Sequence, residues 1–167
     1  MIPMPGTFQA GPLTARAIAP GDLDFVQALM ARTEMNAHRP VPRPLPPQTI
    51  AKAHANDLAH WARHGFGRYI VHLKGNPMGL CGLTVRDGMA GLNLSYHLSP
   101  DDWGQGFATN LVQTLVDLAQ THLADHGPVY GLVRPANPAS ARVLLKSGFT
   151  RAEDLILGGA PTTRYIL

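Results

Sequence analysis

The chain has 167 residues, 45% of them hydrophobic, which suits one domain with a buried core. Its 14 lysines and arginines against 11 acids leave a net charge of +3, and only 15% of residues are charged, so no dense basic face for nucleic acid is expected. No apolar run approaches the roughly 18 residues of a membrane span, and the single cysteine, Cys81, excludes an internal disulfide and reads as a buried thiol in a reducing compartment.

The opening MIPMPGTFQAGP has neither the basic start nor the apolar run of a signal peptide, so a cytoplasmic protein is expected, with residues 1–11 irregular. Leu13 to Ile18 reads as the first strand. Asp22 is placed to cap a helix to about Arg32, with Leu23, Val26, Leu29 and Met30 inward. Residues 38–47 hold five prolines and cannot be regular helix or central strand. A second helix is expected from about Thr49 to His64, ended by Gly65, with Trp61 in the core. Arg68–Leu73 and Met78–Val85 pair as a hairpin around Gly75-Asn76, and Asp87-Gly88 turns into the next strand.

The most informative stretch follows. In Leu92–Leu98, Asn93, Ser95 and His97 alternate with Leu92, Leu94, Tyr96 and Leu98, the period-2 pattern of a half-buried strand. Gly104 and Gly106 permit a tight turn, and helical spacing resumes at Phe107 with Leu111, Val112, Leu115, Leu118, Ala119 and Leu123 inward. A glycine turn feeding a helix start leaves outward-pointing amides with the helix dipole behind them, a good phosphate site. A P-loop is excluded, because no lysine follows either glycine, and the dinucleotide fingerprint fails where its third glycine would fall on Thr109. Val129–Val133 reads as a short buried strand. Asn137 then caps a helix with Pro138 at its first position and Gly148 just past its end, and two more strands follow Phe149.

Trp103-Gly104-Gln105-Gly106-Phe107-Ala108 resembles the pyrophosphate-binding Q/R-x-x-G-x-G/A motif of the GNAT acetyltransferase superfamily. Residues 137–149, NPASARVLLKSGF, are similar to its N-x-x-S-x-R-V-L-x-K-x-G-F helix, most like the branch of ribosomal-protein N-terminal (alanine) acetyltransferases. The resemblance spans roughly residues 12 to 156. It implies an α+β fold over residues 1–167: a mixed, mostly antiparallel central sheet of about six to seven strands flanked by about four helices. It also implies acetyl-coenzyme A as acyl donor, held by Tyr96, Leu98, Trp103, Gly104, Gln105, Gly106, Phe107, Ala108, Thr109, Asn137, Ser140 and Arg142. The acceptor it implies is a primary amine, either a protein N-terminus or a small molecule, and it leaves a homodimer open.

The resemblance places a carboxylate base at the position of Asn93 and a tyrosine at that of Leu144, and this chain has neither. Ser140 is the candidate to donate to the departing sulfur. His97 is the substitute base, two residues beyond Ser95 on one strand face, with an imidazole suited to neutral pH. The departures at Asn93 and Leu144 keep a second reading open, a degenerate acyl-coenzyme A binding domain with a regulatory role. The pairs His60/His64 and His122/His126 lack a third ligand by spacing, so no metal is expected. Pro44-Leu45-Pro46-Pro47 reads as a connector rather than a partner ligand, and the resemblance implies that this loop borders the acceptor pocket.

Overall fold

The computed structural model describes residues 2–167. Its strands are β1 (Thr7–Ala10), β2 (Leu13–Ala17), β3 (Arg68–Leu73), β4 (Asn76–Arg86), β5 (Met89–Leu98), β6 (Val129–Val133), β7 (Thr150–Leu157) and β8 (Ala160–Ile166). They form a single sheet in the order β1-β2-β3-β4-β5-β6-β8-β7. Every neighbouring pair is antiparallel except β5 and β6, which run parallel. The helices are α1 (Leu23–Met30), α2 (Thr33–Asn36), α3 (Pro47–His64), α4 (Phe107–His122) and α5 (Pro138–Lys146). The α+β architecture is the expected one, but among the described residues it has eight strands and five α-helices where about six to seven and about four were expected.

The extra strand is β1, inside the segment expected to be irregular. Four residues carry too little alternation to announce a strand, and pairing with β2 across the Gly11-Pro12 turn makes it one. Asp22 does not act as the expected side-chain cap of α1. Its carboxylate accepts from the Ala19 amide at 2.7 Å and pairs with Arg16, closing a single 3₁₀ turn over Pro20–Asp22 instead. The first helix stops at Met30, short of Arg32, because Asn36 donates to the carbonyls of Met30 and Arg32 and bends the chain into α2. The second helix begins at Pro47, two residues early, with proline at its first position, and ends at Gly65 as expected. The β3–β4 turn is centred on Lys74 and Gly75, one residue before the expected place.

Alternation divides the sheet between two layers. Tyr69, Val71, Leu83, Leu92 and Leu94 point to the α4 side and pack against Leu111, Val112, Leu115 and Ala119. Ile70 and Leu80 point the other way, against Val26 and Leu29 of α1 and Ile50 of α3. Leu111 is fully buried, and truncating such a side chain to alanine costs about 2–5 kcal/mol. Cys81 is buried in the larger layer, where desolvation pushes its thiol up to about 12 and leaves it unreactive.

Of the four histidines spaced i, i+4, His60 is tied into the fold. His60 donates from Nδ1 to the Phe66 carbonyl at 2.8 Å and accepts the Val85 amide on Nε2 at 3.0 Å, so both ring nitrogens are engaged. Trp61 is half-buried between the layers and donates to the Arg68 carbonyl at 2.7 Å. Among the described residues no helix is long and apolar enough to cross a membrane.

Candidate active site

The parallel strands β5 and β6 pair only at Leu92–Val129 and Asn93–Tyr130, after which they part. On its other side β5 stays paired with β4 as far as Leu98. A wedge therefore opens beside Ser95–Leu98, with free backbone on one edge. Two cavities meet in it. One, of about 480 Å³, lies on the α4–α5 side and is lined by Trp103, Gly104, Gly106, Thr109 and Asn137. The other, of about 370 Å³, lies on the α1–α3 side and is lined by Asn93, Ser95, Leu132, Arg134 and Ile50. Met35, His38, Tyr96, His97, Asn137 and Ser140 border both.

Strand parity sets which groups face which cavity. Cross-strand partners share a face, so His97 opposite Leu80, and Asn93 opposite Thr84, point toward α1 and α3, as the alternation predicts. Tyr96 and Leu98 point toward α4 and α5.

At the start of α4, Gly104 and Gly106 adopt φ of 78° and 79°, which favour glycine, and a Cβ on either would enter open space. The first intrahelical bond is Asn110 to the Gly106 carbonyl at 3.2 Å, so the amides of Phe107, Ala108 and Thr109 have no partner within the helix. Trp103 ties the turn to β5 by donating from its indole to the Leu98 carbonyl at 2.9 Å. These free amides at an uncluttered helix start fit a pyrophosphate.

Across the wedge, Asn137 caps α5 through its Oδ1, which accepts the Ser140 amide at 3.4 Å. Its Nδ2 lies 3.1 Å from Ser140 Oγ, and the Tyr96 hydroxyl lies 3.2 Å from the same oxygen. A serine oxygen that accepts both bonds keeps its own proton to donate. Leu144, at the position where the resemblance puts a tyrosine, is buried against β6. A Cβ on Gly131 would come within 2.5 Å of its Cδ1, so only glycine lets α5 sit this close.

A sequence model of the acetyltransferase (GNAT) domain matches residues 13–150. The chain belongs to the GNAT acetyltransferase family. As a GNAT protein it is an acetyl-coenzyme A-dependent N-acetyltransferase, with acetyl-coenzyme A as its acyl donor. Solved structures share the fold at low identity. An acetyltransferase from Agrobacterium tumefaciens superimposes with a TM-score of 0.81 at 23% identity, covering 96% of this chain and 93% of that one. The aminoglycoside acetyltransferase in complex with coenzyme A and kanamycin gives 0.75 at 19%, covering 93% and 94%. The spermidine N-acetyltransferase from Vibrio cholerae in complex with coenzyme A and spermine gives 0.72 at 20%, covering 94% and 95%. No curated protein sequence is a significant match.

In this GNAT chain most of the expected coenzyme residues converge on the first cavity: Tyr96, Leu98, Trp103, Gly104, Gly106, Phe107, Ala108, Thr109, Asn137 and Ser140. Two do not. Gln105 sits exposed at the apex of the turn, and Arg142 is exposed on α5, away from the cavity wall.

His97 reaches the wedge but is not an ordinary imidazole. Burial, then the positive charge of Arg68 and His38, push its pKa down to about 3, so it is neutral throughout the working range. A pKa this low argues against the expected role of His97 as a base titrating near neutrality. Tyr96 is a phenol held above its usual range by burial. The sequence reading did not foresee its pairing with Ser140, nor the approach of His38, Arg39 and Arg134. None of these meetings leaves a local signal, because each joins residues from distant parts of the chain.

Proposed function

We propose that acetyl-coenzyme A binds with its pyrophosphate on the amides of Gly104 to Thr109 and its thioester in the wedge beside Ser140. A primary amine approaches from the α1–α3 side. The observation that carries this reading is that the two cavities meet where β5 and β6 part, with Ser140 and His97 both at the junction.

The reaction is direct transfer. The amine nitrogen bonds to the thioester carbonyl carbon, the carbon–sulfur bond breaks, and the departing thiolate takes a proton. The Ser140 hydroxyl supplies that proton, and Tyr96, paired to it, replaces it. The amine must lose a proton, and His97 is too weak a base to store it. As a neutral hydrogen-bonding group it orients the amine and passes the proton to water entering past Ser95 and Asn93. Acetylation of amines by relatives of the same fold supports an amine acceptor here, whether a small molecule or a protein N-terminus as in the ribosomal-protein branch that the motifs resemble.

The test is incubation with acetyl-coenzyme A and a panel of small amines and peptides. Free thiol release is followed, and the acetylated product is weighed by mass spectrometry. Thiol release with an amine adduct is expected. Tight coenzyme binding without adduct from any amine would favour the degenerate binding domain.

A further inference from the structure

The cleft on the α1–α3 side carries charge of one sign. Arg39 enters it from the α2–α3 connection, Arg134 from the end of β6 and Arg86 from the end of β4, and among its lining residues there is no aspartate or glutamate. Elsewhere Arg16, Arg32, Arg68, Arg151 and Arg164 each pair with a carboxylate. Among the described residues Arg39 and Arg134 pair with none, as is also true of Arg43, Arg63, Arg86 and Arg142. What sets Arg39 and Arg134 apart, together with Arg86, is their place in this acid-free cleft.

Both arginines are prepared rather than loose. Asn36, 2% exposed, is pinned by the carbonyls of Met30 and Arg32. Its Oδ1 accepts from Arg39 Nη1 at 3.3 Å, and the Arg43 carbonyl accepts from the same nitrogen at 2.8 Å. That leaves the other guanidinium nitrogens of Arg39 available. Arg134 Nη1 is buried with no hydrogen-bond partner. A buried cationic donor left unpaired beside a second cation is unfavourable unless something completes it. Burial, and then the charge of Arg39, both weaken the hold of Arg134 on its proton, as expected for cations set close without an anion between them. The remaining wall is apolar, from Met30, Met35, Ile50, Leu132 and Leu157.

We propose that the acceptor is a small amine of amino-acid type that also carries a carboxylate on an apolar body, the carboxylate being bound by Arg134 and Arg39. A guanidinium fork matches a carboxylate geometrically and electrostatically. Polycations such as spermine or kanamycin meet the opposite condition here, since their extra charges find arginines and no acid. Arg134 is thus a specificity residue, and Asn36 positions its partner. This inference rests on the acetyl-transfer reading above and names the substrate class for it.

The experiment compares acetylation of L-phenylalanine, L-methionine, L-glutamate and ω-amino acids of increasing length with that of their methyl esters, spermine, kanamycin and an acidic hexapeptide. The wild type, Arg134→Gln and Arg134→Lys are assayed together. At least one free acid is expected to exceed its ester and both polycations by about tenfold or more in kcat/KM, the scale of losing one partner of a desolvated charge pair. Arg134→Gln should collapse the acid-to-ester ratio, and Arg134→Lys should restore part of it. A polycation as the best acceptor, esters equal to acids, or equal losses on acid and ester in Arg134→Gln would overturn the inference, even with turnover intact. Preference for the hexapeptide over every small acid would overturn the small-molecule assignment. If no amine is acetylated, the transfer reading itself fails. Calorimetry of the acids and esters on the coenzyme-bound protein then decides the subsite: acid binding lost in Arg134→Gln supports it, and absence of acid binding overturns it.

Discussion

The Tyr96 hydroxyl stands 3.2 Å from Ser140 Oγ, joining β5 to α5 across 44 residues of chain. Because both groups serve one proton, their effects are expected to be non-additive. Ser140→Ala should lower kcat more than it weakens coenzyme binding, near the low end of the about 10²–10⁴ that a positioned acid contributes, since a thiolate leaves readily. Tyr96→Phe should cost less, and the double variant little more than Ser140→Ala. A Ser140→Ala enzyme with full kcat would reduce the pair to a structural contact. Asn137→Ala removes the α5 cap and should also cost about 1 kcal/mol in unfolding.

The phosphate turn can be tested at Gly106. Its φ of 79° opposes any side chain, and valine would fill the open space that the turn leaves for a ligand. Coenzyme affinity measured by calorimetry should fall by one to two powers of ten, about 1.4–2.8 kcal/mol. A variant that melts close to wild type and binds equally well would move the pyrophosphate elsewhere.

His97 makes two pH predictions. With a folded pKa of about 3, it cannot produce a limb in kcat/KM near neutrality, so the profile should rise only with the acceptor amine's own deprotonation. His97→Gln should keep that shape at lower activity, and loss of a neutral limb in the variant would contradict this. For stability, the unfolded imidazole binds its proton near pH 6.5 while the folded one stays neutral down to about 3. The unfolded state therefore holds more protons in that window, and stability falls as pH drops through it. His97→Gln should lose less stability between pH 6.5 and 3, as read by denaturant midpoints.

Asp22 acts in a lower window. Hydrogen bonds from Arg16, outweighing the opposing effect of burial, hold its carboxyl below the usual range. Its contribution is complete above the unfolded value of about 3.9 and disappears as pH falls through the lower folded value. Asp22→Asn should cost about 1–3 kcal/mol at pH 7, the scale of hydrogen bonds to charged groups. The gap from wild type should narrow below about pH 4. A pH-independent gap would mean the carboxylate acts by shape alone.

Elements whose signals are local were legible along the chain. Asn137, Pro138 and Gly148 bracket α5, and Gly104 with Gly106 mark the phosphate turn, because caps and left-handed glycines depend on near neighbours in the chain. The alternation of Asn93, Ser95 and His97 settled which face they share, since the strand period is two. The rest came from long-range packing. It made a strand of Thr7–Ala10 through pairing with β2, and it turned Asp22 from cap to ion-pair partner. It lowered His97 by surrounding it with protein and positive charge, and it brought Tyr96 to Ser140 and Arg39 toward Arg134. Those meetings depend on where β5 and β6 separate and on how α2 and α5 pack over the gap, and burial and charge at such a point are sums over residues far apart in the chain.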